Sequence, residues 1–164
     1  MSKVAIMDVH TTSGLEVLES GLGRKDNERS NPLGLEQLLE ALEEFARFAS
    51  CAQQRIVCGD FNLNSNSRAF KIFETRAQSL GLRNCFPDSP PTFGCLDEPI
   101  EKLLTKAADR GKAKVLDYVF SDKVCSSARV EALAAPKKCN AFQQVSDHRA
   151  VAATWPPTAG KGRK

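Results

Sequence analysis

The chain has 164 residues, 41% of them hydrophobic and 26% charged, which is enough for one compact domain with a core and too few for two comfortable ones. A balance of 23 Lys and Arg against 20 Asp and Glu leaves a net charge of +3, too mild to make a broad nucleic-acid patch the organising feature. Composition excludes collagen-like, coiled-coil and wholly disordered classes, and no stretch approaches the roughly 18–20 consecutive apolar residues of a bilayer-spanning helix. The opening residues Met1 to Asp8 reach a carboxylate too early for a secretory signal, so the expectation is a soluble protein, cytoplasmic if this N-terminus is genuine.

Lys3 to Val9 is a short apolar run that reads as a buried strand, delivering Asp8 and His10 at its C-terminal end. A polar, glycine-containing stretch follows. Asn31-Pro32 then supplies an N-cap and a first-turn proline, and Leu35, Leu38, Leu39, Leu42, Phe45, Ala46 and Ala49 recur at helical spacing to about Ser50. Arg55 to Cys58 predicts a second strand, closed by Gly59-Asp60-Phe61-Asn62. A second helix is predicted from about Ser67 to Leu80, with Phe70, Phe73, Ala77 and Leu80 on one face and Gly81 at its end. Pro87 to Lys112 is a long proline-containing excursion with a short helix expected near Ile100 to Ala108. Three β-type runs close the chain: Ala113 to Phe120, Ala128 to Leu133, and Ala150 to Trp155, the last preceded by Val145-Ser146-Asp147-His148-Arg149. The reading is an α+β class, a layered α/β sandwich over residues 1–155, with 156–164 as a basic disordered tail.

The six cysteines, at positions 51, 58, 85, 95, 125 and 139, form no CxxC pair, so structural zinc is not expected and scattered reduced thiols are.

Polar residues gather where strands end: His10, Asp60 and Asn62, then Asp117, Asp147 and His148. Both histidines of the chain fall in these junctions. Taken singly, each has a plainer reading: His10 as a packing residue, Gly59 to Asn62 as a strand-ending turn, Ser146-Asp147-His148 as a polar loop. Asp117 resists one, because Val115-Leu116-Asp117-Tyr118-Val119-Phe120 places a carboxylate in an apolar strand, where burial demands a partner that a histidine would supply. An imidazole oriented by a carboxylate, with further carboxylates and an amide beside it, suits hydrolysis of a phosphate ester.

In order, Val9-His10-Thr11, Gly59-Asp60-Phe61-Asn62, Leu116-Asp117-Tyr118 and Ser146-Asp147-His148 resemble the C-terminal half of the endonuclease/exonuclease/phosphatase (DNase I-like) superfamily. The likeness runs from about Val4 to Trp155 and is greatest to the neutral sphingomyelinase-like branch. It implies about half of a four-layer fold. It also implies roles: His148 activates water and Asp117 orients it, Asp60 positions the nucleophile, Asn62 holds a phosphate oxygen, and His10 contacts the phosphate or assists the leaving group. Asp147 would lie at or beside a Mg²⁺ site, with Mn²⁺ as a substitute.

The departures matter as well. Family members carry an N-terminal half whose asparagine and glutamate bind metal, and this sequence begins after both, so a fragment or a chain that has lost the chemistry is expected. Ala150 stands where the family often has proline, and Thr11-Thr12-Ser13 where many members have Thr-His-Leu around the first histidine. The implied substrate is a phosphodiester. A lipid headgroup would be met by a peripheral membrane contact through Lys137, Lys138 and Phe142. A nucleic acid would be met by Arg24, Lys25, Arg29, Arg68, Lys71 and Arg76. A non-catalytic half-domain is the reading from another class.

Overall fold

The computed structural model describes residues 3–11, 32–95, 99–104, 112–134 and 144–156. The elements are β1 (Val4–His10), α1 (Pro32–Phe48), β2 (Gln54–Asp60), α2 (Arg68–Ser79), β3 (Arg83–Asn84), α3 (Pro99–Leu104), β4 (Asp117–Ser121), β5 (Ser127–Ala134) and β6 (Gln144–Thr154). The mixed α+β class is the one expected. One sheet has four strands in the order β1-β2-β4-β3, and a second pairs β5 with β6. β1 runs parallel to β2, with α1 in the crossover between them, whereas β2 and β3 each pair with β4 antiparallel.

The core forms where two helical stripes meet one face of the larger sheet. Leu38, Leu42, Phe45 and Ala49 on α1 and just beyond it, and Ala69, Phe70, Phe73 and Ala77 on α2, are buried at three- and four-residue intervals. They enclose Val57, Phe61, Tyr118 and Phe120, with Ala5, Met7 and Val9 packed against the cluster. The Phe61 ring lies 5.0 Å from Phe73, 5.2 Å from Tyr118 and 6.0 Å from Phe120, so four aromatic side chains form one contact set. Each fully buried side chain of this size contributes on the order of 1.5–3 kcal/mol by leaving water. Ser67 caps α2, its side chain accepting from Phe70 N at 3.1 Å. Past the helix, Gly81 takes the left-handed φ of 80° that lets the chain turn back into β3.

Several sequence expectations need correction. The run from Ala113 to Phe120 becomes strand only at Asp117, because Lys114 pairs with Phe93 instead of with the sheet, its N donating to Phe93 O at 2.9 Å. The polar residues Ser146, Asp147 and His148 do not precede the last strand but lie inside β6, whose pairing with β5 extends back to Gln144 through an irregularity between Ala132 and Ala134. The expected helix near residues 100–108 is described only as Pro99–Leu104, and residues 105–111 lie outside the described ones. β3 has no sequence signature, since two residues cannot show a period. The expected N-cap Asn31 and the tail beyond residue 156 also lie outside.

Cys51, Cys58, Cys85, Cys95 and Cys125 are free thiols. Burial pushes Cys85 up to about 12 and also raises Cys58, which keeps both protonated at neutral pH. Among the described residues, no helix is long and apolar enough to cross a membrane.

Candidate active site

Strand alternation sorts the larger sheet into two faces. Ala5, Met7, Val9, Val57, Tyr118 and Phe120 turn toward the helices. The opposite parity carries His10, Asp60 and Asp117, and the register sets them abreast, with His10 beside Asp60 and Asp60 beside Asp117. Phe61 N donates to Leu116 O at 2.9 Å, which makes Asp60 and Asp117 the non-hydrogen-bonded kind of antiparallel pair, with side chains at the closer cross-strand spacing.

β6 brings His148 to the same face. Its Nδ1 lies 2.9 Å from Asp117 Oδ2, and its Nε2 lies 3.9 Å from Asp60 Oδ2. His10 Nε2 approaches that same Asp60 oxygen at 3.8 Å. The two imidazoles differ in setting: the His10 side chain is 80% exposed and that of His148 26%. Phe93 packs its ring 4.9 Å from the His148 imidazole.

Gly59-Asp60-Phe61-Asn62 is built residue by residue. Gly59 adopts a φ of 125°, and a Cβ there would sit 2.0 Å from Val9 O, so only glycine lets β1 lie this close. Asp60 is the hub, Oδ1 accepting from Asn62 N at 2.8 Å and Oδ2 from Asn62 Nδ2 at 3.1 Å. Phe61 alternates into the core and is fully buried. Asn62 holds a left-handed φ of 49°, which asparagine tolerates better than most residues, and its Nδ2 also donates to Thr11 O at 2.8 Å. Turn and site are therefore the same object.

Burial pushes the Asp60 carboxyl above the usual carboxylate range. The Asn62 N–H opposes that rise, the neighbouring Asp117 charge adds to it, and the two imidazoles offset it in part. Asp60, Asp117 and His148 each place one ligand atom within 4.8 Å of the others. Two adjoining carboxylates joined by an imidazole fit the donor chemistry of a small divalent cation. The fit is to donor type: Asp117 Oδ2 is already held by His148, and both Asp60 oxygens accept from Asn62.

Five of the six residues singled out in the sequence, His10, Asp60, Asn62, Asp117 and His148, thus converge on one face. Asp147 lies in β6, with its side chain outside the described ones. Three further residues contribute: Thr11, which the sequence offered only as the end of the Val9-His10-Thr11 motif, and Thr92 and Phe93, which belonged to no motif. Thr11, 3% exposed, donates through N to Asp60 O at 3.1 Å and through Oγ1 to Phe61 O at 2.5 Å, clamping the loop that holds Asn62. Thr92 and Phe93 lie in the proline-containing excursion, where only their position between Pro90-Pro91 and Gly94 hinted at order.

Of the basic residues considered for a phosphate backbone, Arg68, Lys71 and Arg76 ride on α2, across the sheet from this face. Arg76 is engaged by Glu43 of α1 at 2.5 Å. Arg24, Lys25, Arg29, Lys137, Lys138 and Phe142 lie outside the described residues.

No protein-family model matches the sequence, and no curated protein does. Solved structures do match. Beta toxin from Staphylococcus aureus superposes with a TM-score of 0.57 at 20% identity, covering 92% of this chain and 52% of the toxin chain. A double mutant of the same toxin with bound magnesium ions gives 0.53 at 21% identity, over 91% and 52%. Truncated Caenorhabditis elegans TDP2 gives 0.54 at 16% identity, over 92% and 53%. The chain has the DNase I-like fold over the part it spans, which is about half the length of the structures it matches.

Proposed function

We propose that the chain carries the water-activating side of a metal-dependent phosphodiester hydrolase. The observation that supports this best is the 2.9 Å contact between His148 Nδ1 and Asp117 Oδ2, with Asp60 paired to Asp117 across the sheet and its Oδ2 lying 3.9 Å from His148 Nε2. A carboxylate at Nδ1 selects the tautomer with its proton on that nitrogen and the lone pair on Nε2, the arrangement of a general base. His148 Nε2, turned toward Asp60, takes the proton of a water molecule, and Asp117 stabilises the imidazolium that results. Asp60 positions that water. Asn62, anchored to Asp60 and to the Thr11 carbonyl, presents an amide to a phosphate oxygen. The exposed His10 meets the phosphate from the open side or assists the leaving group.

Mg²⁺, with Mn²⁺ as a substitute, would be held at or beside Asp147, next to the Asp60, Asp117 and His148 cluster, and the chemistry it would supply when bound is neutralisation of charge on the phosphate. Magnesium bound in a structural neighbour supports that choice. The substrate class we favour is a phosphodiester in a lipid headgroup, from the sphingomyelinase-like run of motifs. The nuclease reading finds less support, because the described basic residues of α2 lie on the helix layer and Arg76 is engaged by Glu43.

The test is hydrolysis of bis(p-nitrophenyl) phosphate with Mg²⁺ and with EDTA, by the chain and by His148→Ala. The expected result is Mg²⁺-dependent turnover that His148→Ala reduces by at least about 100-fold. A choline-headgroup lipid and a nicked plasmid then separate the substrate classes. No turnover by folded protein would favour a non-catalytic half-domain.

A further inference from the structure

Asp117 starts β4 where its neighbour on the far side has already stopped. β3 is two residues long and pairs with β4 only at Ser121 and Phe120. The Asp60–Asp117 pair turns the Asp117 N–H away from β2, toward a side where, among the described residues, no ladder strand reaches it. What meets it is a hydroxyl. Thr92 Oγ1 accepts from Asp117 N at 3.2 Å and from Leu116 N at 3.0 Å. Thr92 is fully buried, so among the described residues this oxygen does for β4 what the missing length of β3 would have done.

The same residue reaches the other partner of the pair. Thr92 N donates to Lys114 O at 2.8 Å, and Thr92 O accepts from Arg149 N at 2.7 Å, one residue past His148. Phe93 then bridges Lys114 on one side and His148 on the other. Asp117 and His148 stand in different sheets, 31 residues apart, and the two-residue rung Thr92-Phe93 ties the backbone of one to the backbone of the other.

We infer that Thr92 is a positioning residue for the hydrolysis proposed above, on which its functional meaning rests: its hydroxyl, rather than its bulk, sets the separation of the Asp117 carboxylate and the His148 imidazole. Replacing the hydroxyl by a methyl of similar shape takes the acceptor from two N–H groups at a side chain that is itself fully buried. The relief open to the chain is movement of the first residues of β4, which carries the Asp117 carboxylate away from Nδ1. A displacement of about 1 Å in such a contact costs about 100-fold in rate.

The experiment compares the wild-type chain with Thr92→Val, which keeps the shape and loses the hydroxyl, and Thr92→Ser, which keeps the hydroxyl and loses the methyl. The primary readout is the low-field imidazole N–H proton resonance of His148 in ¹⁵N-labelled protein, assigned by its loss in Asp117→Asn. It reports the Nδ1 contact without requiring turnover. The resonance is expected in wild type and Thr92→Ser and absent in Thr92→Val, with near-ultraviolet circular dichroism unchanged. Where wild type turns over bis(p-nitrophenyl) phosphate, kcat in Thr92→Val falls about 100-fold and KM stays within about twofold. Retention of the resonance in Thr92→Val, or its loss in Thr92→Ser or in wild type, would overturn the inference. Unfolding of Thr92→Val would overturn it as well, leaving the hydroxyl a purely structural role. A wild-type chain that shows the resonance but no turnover would sink the hydrolase reading alone, since the three resonances still decide the role of Thr92.

Discussion

Gly59→Ala is the substitution that most directly tests how this site is assembled. The added Cβ would lie 2.0 Å from Val9 O, whereas Cβ atoms essentially never come closer than 3.0 Å to such a neighbour, so β1 must retreat by at least about 1 Å. The atom met is a backbone oxygen, which no side-chain rotation can clear. Holding alanine at a φ of 125° adds about 1–3 kcal/mol of strain. Retreat of β1 also breaks the bonds beyond the clash, Thr11 N to Asp60 O at 3.1 Å and Asn62 Nδ2 to Thr11 O at 2.8 Å, each worth about 1 kcal/mol. The expected loss is about 3–5 kcal/mol, a large share of the roughly 5–15 kcal/mol of an ordinary domain. Urea unfolding followed by circular dichroism measures it. Gly81→Ala is the control, because its φ of 80° is also left-handed but its Cβ would meet only the Arg55 guanidinium at 3.4 Å, and a loss of about 1–2 kcal/mol is expected. Equal losses for the two variants, or a Gly59→Ala loss below about 1 kcal/mol with β1 amides still protected from exchange, would refute the reasoning.

Phe120→Ala removes a fully buried ring in contact with Phe61, Phe70, Phe73 and Tyr118, and a loss of about 3–5 kcal/mol is expected by urea unfolding. For Asp60, the folded chain raises the carboxyl pKa, so it holds this proton more tightly than the unfolded chain does. The stability this confers is complete below the unfolded value of about 3.9 and declines as pH rises through the raised folded value. In EDTA, stability measured against pH should therefore fall across that acid window in wild type, and Asp60→Asn should lack that component; an identical slope in both would count against it.

The helices were legible because their information is local. Apolar residues at three- and four-residue spacing around Leu38, Leu42 and Phe45, and around Phe70, Phe73 and Ala77, are the residues buried in α1 and α2, and Ser67 and Gly81 marked the ends of the second. The site residues were legible as a list for a different reason. A carboxylate in the apolar run Val115 to Phe120 requires a partner, and the chain has only two histidines to offer.

Distance was not legible. Tertiary structure decided that His148 meets Asp117 through Nδ1, because that contact joins residues 31 apart in two sheets whose packing no local pattern encodes. It moved Ser146, Asp147 and His148 into β6, because pairing with β5 holds the chain on both sides of them, at Arg149 and at Gln144, while Phe93 bridges His148. It also decided what the Thr92 and Thr11 hydroxyls bind, since a threonine in a loop looks the same in sequence whether its hydroxyl faces solvent or closes a strand end. The sequence by itself determined which groups were present and which segments would be helical, as consequences of residue chemistry and short-range spacing. Strand register and the closure of backbone hydrogen bonds, which exist only once distant segments meet, determined where those groups stand.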